Sequence, residues 1–319
     1  MNYRKLQSIS FTDLDRLRHL PLSQLDELLK SLGNNDQEVF VKSSYSDIDA
    51  FFDEVYKDYD TDLRNPYWNF SHDILKFLLL HELLENFDVT RQLNVLDAGA
   101  GTGNWSKYIK DCFPSSKTVL FDRNHHMLSV ARTKFSSLQS RNTSFVEGNL
   151  EQLENYLVNQ FDVIICFHNV IGMARNSENV LSQLAKRLRE DGIALIMAPN
   201  FYHSLIFLLN QKNMVEFHRT LVTGTVKFKK DMPEVFCYTP ESLRQLIINS
   251  GFKSCKILGF PVTVFPEQND RFLKVETTSH HCLNDTKMRA GILALEKRLC
   301  LKEELAYRAG NSLLAIAKI

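Results

Sequence analysis

The spacing of hydrophobic residues along the chain changes near residue 90. Before this point apolar residues recur at helical spacing, first in residues 10–32, where the pattern stops at Gly33, and again in residues 45–87. Because the helical pattern is broken only by short turn sequences, we predict an all-helical N-terminal segment over residues 1–90. Its leucine-rich beginning is a candidate oligomerisation surface for a homodimer, and binding of another partner or packing on the core are the alternatives.

Short β-rich runs alternate with helical stretches in the remainder of the chain. Such alternation is typical of βαβ units and therefore predicts an α/β fold with a parallel sheet. The predicted strands are residues 94–99, 117–122, 143–148, 161–168, 192–200, 252–260 and 311–319. The predicted helices between them are residues 104–113, 124–135, 151–158, 178–191, 240–251 and a stretch within 288–310.

Composition and charge argue against nucleic-acid binding, membrane contact and a metal site. The chain has 319 residues, and its 38 basic residues balance 38 acidic ones, whereas nucleic-acid binders usually carry a basic excess. No apolar run is long enough to span a membrane, and the charged beginning lacks a secretory signal, so we expect a cytoplasmic protein without membrane contact. The six cysteines are scattered without metal-ligand spacing, and we expect no metal site.

The stretch LDAGAGTGNW, residues 96–105, follows the first predicted strand and concentrates the candidate chemistry. Its glycines would let the backbone approach a ligand at the carboxyl end of the sheet. Asn104 stands where dinucleotide-binding loops have a third glycine, and the acid Asp97 would repel a pyrophosphate but suit an ammonium group. Asp122 ends the next strand, as a ribose-binding acid would, and Asn149 follows the third strand within reach of an adenine.

The ligand that these features predict is an adenosine with an ammonium-bearing tail and no phosphate, which is S-adenosylmethionine. In this interpretation Met127 and Leu128 pack against the adenine ring. Five segments in order, LDAGAGTGNW, VLFDRNHHML, FVEGNL, FDVIICFHNVIGM and LREDGIALIMAPN, resemble the class I S-adenosylmethionine-dependent methyltransferases of the small-molecule type. The resemblance extends over roughly residues 45–319.

The resemblance implies a Rossmann-like, doubly wound, mainly parallel seven-stranded sheet, with residues 91–319 as the methyltransferase core. It also implies cofactor contacts to the methionine part, the ribose and the adenine. These contacts would come from Asp97, Gly99, Ala100, Gly101, Asp122, Arg123, Met127, Asn149, Leu150 and Phe167. The family commonly has Asp where Asn149 stands, so the adenine contact at this position departs from the family pattern.

Two pairs of residues are candidates for the methyl-transfer end of the site. His168 and Asn169 follow the fourth predicted strand, and His168 is interpreted either as a base or acceptor-orienting group, or as a histidine bonded to cofactor or backbone. Tyr59 and Trp68 precede the sheet. We interpret them either as closing the site over the methionine end or as an aromatic cluster that fixes the N-terminal helices to the sheet.

The apolar and aromatic residues 200–240 interrupt the strand and helix alternation and are predicted to form a lid. Tyr202, His203, His218 and Tyr238 would line an acceptor pocket there, although each taken alone fits a surface or packing role.

The sequence therefore predicts a methyltransferase acting on oxygen or nitrogen of a small, partly hydrophobic molecule, such as a biosynthetic intermediate. Two alternatives remain open. The first is a methyltransferase acting on RNA or protein. The second is a non-catalytic protein that binds S-adenosylmethionine and a partner.

Overall fold

The computed structural model describes residues 44–135, 142–228, 232–264, 279–306 and 310–319. The helical pair predicted within residues 10–32, and with it the leucine-rich candidate oligomerisation surface, lies outside the described residues.

A seven-stranded sheet forms the centre of the structure, with strand order β3-β2-β1-β4-β5-β9-β8. Strands β1 to β5 are parallel, and β9 pairs antiparallel with both β5 and β8. This arrangement confirms the predicted mainly parallel, doubly wound sheet. The strands are β1 Asn94–Ala98, β2 Lys117–Asp122, β3 Thr143–Glu147, β4 Phe161–Cys166, β5 Leu188–Pro199, β8 Ser254–Phe260 and β9 Ser312–Lys318.

The helices precede the sheet, connect its strands and follow β8. Before the sheet lie α1 Tyr45–Val55, a 3₁₀ helix Tyr59–Arg64 and α2 Pro66–Asn86. Within it lie α3 Asn104–Cys112, α4 His125–Lys134, a 3₁₀ helix Leu150–Asn155, α5 Val170–Met173 and α6 Ser177–Arg187. After β5 follow α7 Phe201–Asn210, α8 Met214–Thr223, α9 Pro240–Asn249, α10 Ser279–Asn284, α11 Thr286–Leu299 and α12 Glu303–Ala306.

Helices cover both faces of the sheet, which explains why its central strands are apolar at nearly every position. Side chains alternate between the faces, so Leu96 and Ile164 belong to one core cluster and Val95 and Val163 to the other. Helix α2 buries Phe70, Ile74, Leu78 and further apolar residues in the second cluster. None of the helices in the described ranges is long and apolar enough to cross a membrane.

Two predicted elements near the carboxyl edge differ from the structure. The helix predicted over residues 151–158 is instead a short 3₁₀ helix. Side chains three residues apart lie on the same side of a 3₁₀ helix, and Leu150 and Leu153 are accordingly both buried. The strand predicted over residues 161–168 ends at Cys166, because His168 and Asn169 adopt left-handed backbone conformations, with φ of 55° and 68°.

The residues predicted as a lid form two helices, α7 and α8, and a short hairpin of β6 Thr225–Val226 and β7 Val235–Phe236. A small apolar cluster holds them together, with Leu208, Val226 and Cys237 buried at its centre. The segment leaves and rejoins the sheet at one point, since the Phe201 N–H donates to the Tyr238 carbonyl.

A buried carboxylate ties the amino ends of three strands together. Asp162 is fully buried at the start of β4, where its Oδ2 accepts from the Asn94 N–H at 2.7 Å. Its Oδ1 accepts from Arg91 at 2.7 Å and from Arg189 at 3.0 Å. The network holds β1, β4 and β5 in register at the end of the sheet opposite the glycine-rich loop.

We expect Asp162→Ala to lower the free energy of unfolding by about 3 kcal/mol, because it leaves the Asn94 N–H and Arg189 without this acceptor and removes the buried one of the two carboxylates that bind Arg91. Urea denaturation followed by circular dichroism measures this change. Asp191→Ala is the matched control, since Asp191 also pairs with Arg91 but is 62% exposed, and it should change stability by less than about 1 kcal/mol. Equal effects of the two variants would contradict this account.

Candidate functional site

The loop between β1 and α3 depends on glycine at three alternate positions. Gly99, Gly101 and Gly103 have φ of 82°, 52° and 78°, a region that residues with a side chain rarely adopt. The N–H groups of Gly99 and Ala100 both donate to the Phe121 carbonyl, at 2.8 and 3.0 Å. The loop is therefore folded back over the carboxyl end of β2.

The three glycines face different surroundings. A Cβ at Gly99 would lie 2.4 Å from a methyl group of Val170, and one at Gly103 would lie 2.9 Å from Leu120, so these two are needed for packing. At Gly101 a Cβ would meet no atom of the described residues within 4 Å. Gly101 is therefore the point at which the loop backbone borders open space.

Asp122 fixes this loop from the end of β2. Its Oδ2 accepts from the Gly101 N–H at 2.7 Å, and its Oδ1 accepts from the Asn124 N–H at 2.8 Å. Burial raises the pKa of Asp122, while the two backbone hydrogen bonds oppose that rise. Each carboxylate oxygen has two lone pairs, so this side chain can hold the loop and still accept from a ligand hydroxyl.

Asp97 lies at the end of β1 and is 2% exposed. Its Oδ2 accepts from the Ser106 hydroxyl at 2.6 Å and from the Ser106 N–H at 3.2 Å. Burial raises the pKa of Asp97 to about 7, and the nearby charge of Asp122 adds to this effect. Sequence reasoning missed Ser106, whose signal was a hydroxyl in the first turn of the helix that follows the glycines.

The predicted adenine-side residues surround the ends of β2 and β3. Met127 and Leu150 are buried, and the Met127 N–H donates to the Asn124 side chain at 2.9 Å. The Oδ1 of Asn149 accepts from the Glu151 N–H at 3.0 Å and so caps the 3₁₀ helix. The side-chain oxygen of Asn149 thus has a local structural partner.

Arg123 points toward the N-terminal helices rather than toward the glycine-rich loop. Its guanidinium donates to Asp49 at 2.7 Å and lies 3.9 Å from the ring centre of Tyr45, which Arg175 also approaches at 4.8 Å. The Tyr45 hydroxyl donates to Glu151. The predicted cofactor contact of Arg123 does not fit these positions, because the side chain instead anchors α1 over the carboxyl edge of the sheet.

Asp60 anchors the N-terminal segment a second time, and sequence reasoning missed it. Its carboxylate accepts from Thr102 at 2.7 Å, from Asn104 at 2.8 Å and from Lys134 at 2.6 Å. Burial would raise the pKa of Asp60, but the hydrogen bonds from Lys134, Thr102 and Asn104 hold it below its usual value. Thr102 and Asn104, the polar residues next to the glycines, could have indicated such a partner, because buried hydroxyl and amide groups need hydrogen-bond partners.

A stack of aromatic and imidazole rings lies beside the end of β4. Trp105 donates its indole N–H to Nε2 of His168 at 2.7 Å. The ring of His72, from α2, stacks on His168 at 5.1 Å and lies 5.0 Å from Trp105. Burial lowers the pKa of His168 to about 3 and that of His72 to about 4, so both imidazoles are neutral near pH 7.

These contacts decide what His168 can do. An indole N–H only donates, so Nε2 of His168 is the acceptor and a neutral ring carries its proton on Nδ1. With Nε2 bonded to Trp105 and Nδ1 protonated, the predicted role of His168 as a base does not fit the structure. Asn169, the other predicted catalytic residue, is the N-cap of α5 and has a left-handed conformation.

The remaining aromatic candidates lie in different surroundings. Phe167 is buried with its ring 5.2 Å from Trp105. The ring of Tyr59 lies 6.3 Å from that of Phe52, in α1. Trp68 is 41% exposed and meets the neighbouring Tyr67 edge to face at 5.1 Å.

The four predicted acceptor-lining residues differ in their burial and in their neighbours. Tyr238 is buried in the sheet core, and its hydroxyl donates to Ser177 at 3.0 Å, so the predicted pocket role does not fit this residue. His203 is also buried, and burial lowers its pKa to about 4. Tyr202 is 39% exposed at the start of α7, and His218 packs its ring against Phe217 in α8.

Within the ranges that the structure describes, no three His, Cys, Asp or Glu side chains gather in a way that could hold a metal ion. The polar groups near the glycine-rich loop are instead organised around backbone N–H groups and one another.

Comparison with known proteins points to one family. Residues 95–192 match a family model described as a methyltransferase domain. The chain is 30% identical over 117 residues to malonyl-[acyl-carrier protein] O-methyltransferase of Bacillus cereus, which covers 37% of this chain and 41% of that protein. It is 26% identical over 144 residues to demethylmenaquinone methyltransferase of Lactococcus lactis, which covers 44% and 53%. The chain thus spans about half or less of the length of these relatives.

Among solved structures, the plantazolicin methyltransferase BamL, in complex with a desmethyl substrate analogue and S-adenosylhomocysteine, superimposes with a TM-score of 0.50 at 20% identity. The match covers 93% of this chain and 99% of that one. A similarity at this identity shows the fold, and the matched domain contains β1 to β4, the glycine-rich loop and the start of β5. Residues 95–192 therefore carry a methyltransferase domain, and the chain around them has the fold of the plantazolicin methyltransferase.

Proposed function

We propose that the chain binds S-adenosylmethionine at the carboxyl ends of β1 and β2 and transfers its methyl group to oxygen or nitrogen of a small, partly hydrophobic acceptor. The observation that carries this proposal is the open space at Gly101, bordered by a loop that the carboxylate of Asp122 holds. We assign residues 1–90 as a helical cap, 91–319 as the methyltransferase core and 200–240 as an acceptor lid.

The groups around this space fit the proposed cofactor. Asp122 has lone pairs that can accept from ribose hydroxyls, and the loop lets a ligand approach the backbone at Gly101. Asp97 is a buried acid that accepts from Ser106, and burial raises its pKa. An ammonium group of the methionine tail would stabilise its ionised form. When bound, S-adenosylmethionine supplies an electrophilic methyl group on a sulfonium centre.

The residues of this chain would position the cofactor and the acceptor and exclude water from the site, without forming a covalent bond to either. Asp60 ties the N-terminal segment to the glycine-rich loop. Tyr45 ties α1 to the turn after α5 through Arg175 and to the segment after β3 through Glu151. Both contacts cover the carboxyl edge of the sheet. Excluding water there would strengthen the electrostatic contacts to a cationic cofactor and keep the acceptor aligned for in-line attack.

A small acceptor is supported by the residues after β5 and by the relatives. Helices α7 and α8 carry exposed apolar side chains, among them Tyr202, Ile206 and Val215. The named relatives methylate a malonyl-carrier conjugate and a demethylmenaquinone, and the similar structure was solved with a desmethyl plantazolicin analogue. These names support a role in biosynthesis, and the balanced charge disfavours RNA as the acceptor.

We expect S-adenosylhomocysteine to bind the purified protein and Asp122→Ala to weaken that binding at least about tenfold, because the variant loses both the loop anchor and a charged hydrogen-bond acceptor. Isothermal titration measures both constants. Asp191→Ala, at the opposite end of the sheet, is the control and should bind like the unaltered protein. If the unaltered protein bound neither this ligand nor S-adenosylmethionine, the proposed function would be wrong, whereas binding without methyl transfer would indicate a non-catalytic cofactor-binding protein.

The affinity for S-adenosylhomocysteine should rise with pH. The ligand's ammonium group needs an ionised Asp97, whose pKa of about 7 means that it must release a proton on binding below that pH. Binding should therefore tighten by up to about tenfold per pH unit between about pH 5.5 and about pH 7 and level off above. Titration calorimetry over this range measures the slope. Asp97→Asn should bind weakly at every pH without the slope, and a flat profile for the unaltered protein would contradict the role of Asp97.

A further inference from the structure

His72 is a histidine at the candidate site for which the proposed function so far has no role. It lies in the second turn of α2, half-buried, with its ring against those of Trp105 and His168. Neither of its ring nitrogens forms a hydrogen bond with any residue that the structure describes. A neutral imidazole always has one nitrogen lone pair, so His72 presents an acceptor that the protein itself does not use.

The neighbouring His168 differs in this respect. Its Nε2 lone pair is already bonded to the indole N–H of Trp105 at 2.7 Å. Its Nδ1 must carry the proton of the neutral ring, so this nitrogen can donate but cannot accept. Of the two stacked imidazoles, only His72 can receive a hydrogen.

His72 lies near both the end of β4 and the glycine-rich loop. His168 follows β4 at the carboxyl edge of the sheet, and His72 stacks directly on it. The ring of His72 also lies 5.0 Å from that of Trp105, the residue at the end of the glycine-rich stretch. His72 thus lies between the loop that would hold the cofactor and the strand end that would meet the acceptor.

We propose that His72 receives the hydrogen of the acceptor's hydroxyl or amine during methyl transfer, with Trp105 and His168 holding its ring in place. This role rests on the proposed function. The acceptor's lone pair forms the bond to the methyl carbon while the carbon–sulfur bond breaks, and that bond's electron pair stays on sulfur. The acceptor's proton passes to the unbonded ring nitrogen of His72, and the resulting imidazolium then loses the proton to water.

The surroundings of His72 keep this nitrogen available. Burial and the charge of Lys76 lower its pKa to about 4, so the ring is neutral and its lone pair free near pH 7. The negative charge of Asp60 acts in the opposite direction and would stabilise the imidazolium once it forms. His168, also neutral, adds no charge of its own at this pH.

The test compares two cofactor analogues and needs no knowledge of the acceptor. Sinefungin carries an amine where S-adenosylmethionine carries its methyl group, whereas S-adenosylhomocysteine has no group there. A His72 nitrogen aimed at the methyl position would accept from that amine. His72→Phe keeps a ring for stacking but has no lone pair, so sinefungin binding should weaken about tenfold relative to S-adenosylhomocysteine binding.

Two further variants make the comparison specific. His81→Phe makes the same change on the same helix, away from the ring stack, and should leave the ratio of the two dissociation constants unchanged. His72→Gln restores a hydrogen-bond acceptor without the ring and should recover part of the preference for sinefungin. In ¹⁵N spectra of the unaltered protein, adding sinefungin should shift a His72 ring nitrogen more than Nε2 of His168.

The possible outcomes separate this role from the proposed function. Absence of binding by both analogues to the unaltered protein would reject the cofactor and the role of His72 together. Normal S-adenosylhomocysteine binding with an unchanged ratio in His72→Phe would overturn the role of His72 alone. Loss of both analogues by the same factor in His72→Phe and His72→Gln would show a structural residue and would also overturn it.

Discussion

The carboxylate of Asp122 is the interaction on which the geometry of the carboxyl edge depends. A loop with three left-handed glycines has many alternative conformations, and its entropy must be offset by specific bonds. One oxygen of Asp122 binds the loop at Gly101, and the other binds Asn124 at the start of α4. A single side chain at the end of β2 therefore sets the loop before α3 and the first turn of the next helix.

The consequences of this anchor extend outward through helix α3. With the loop fixed, the first turn of α3 brings Ser106 to the buried carboxylate of Asp97 and Trp105 to His168. The loop itself offers Thr102 to Asp60, which brings in the N-terminal segment. The contacts of the site thus run from the sheet edge to the loop and from the loop to the covering helices.

Local patterns carried most of the information about the fold. The alternation of strands and helices, the glycine-rich loop and the acids at the ends of β1 and β2 follow from short-range rules of periodicity and turn geometry, and these predictions agree with the sheet order. Contacts between distant segments had no such signal. Asp60 lies 42 residues before Thr102, and His72 meets His168 only because of how α2 packs on the sheet.

Residue type alone also failed to give the direction of individual side chains. Tyr238 satisfies its hydroxyl inside the core through Ser177, which a tyrosine can do as readily as it can line a pocket. Arg123 follows Asp122, the acid proposed to bind the ribose, yet its long side chain reaches Asp49 on the covering helix. In both cases the outcome depends on tertiary neighbours that the local sequence does not specify.

The position of β9 between β5 and β8 has a consequence for synthesis of the protein. Strand β8 leaves the ribosome before β9. Among the strands that the structure describes it pairs only with β9, from which helices α10, α11 and α12 separate it along the chain. Until β9 is made, β5 and β8 both present unpaired edges with apolar faces. The nascent chain therefore passes through a stage in which the five parallel strands have been made but the edge of β5 has no partner strand. At this stage we expect the chain to be most exposed to chaperone binding or misassembly.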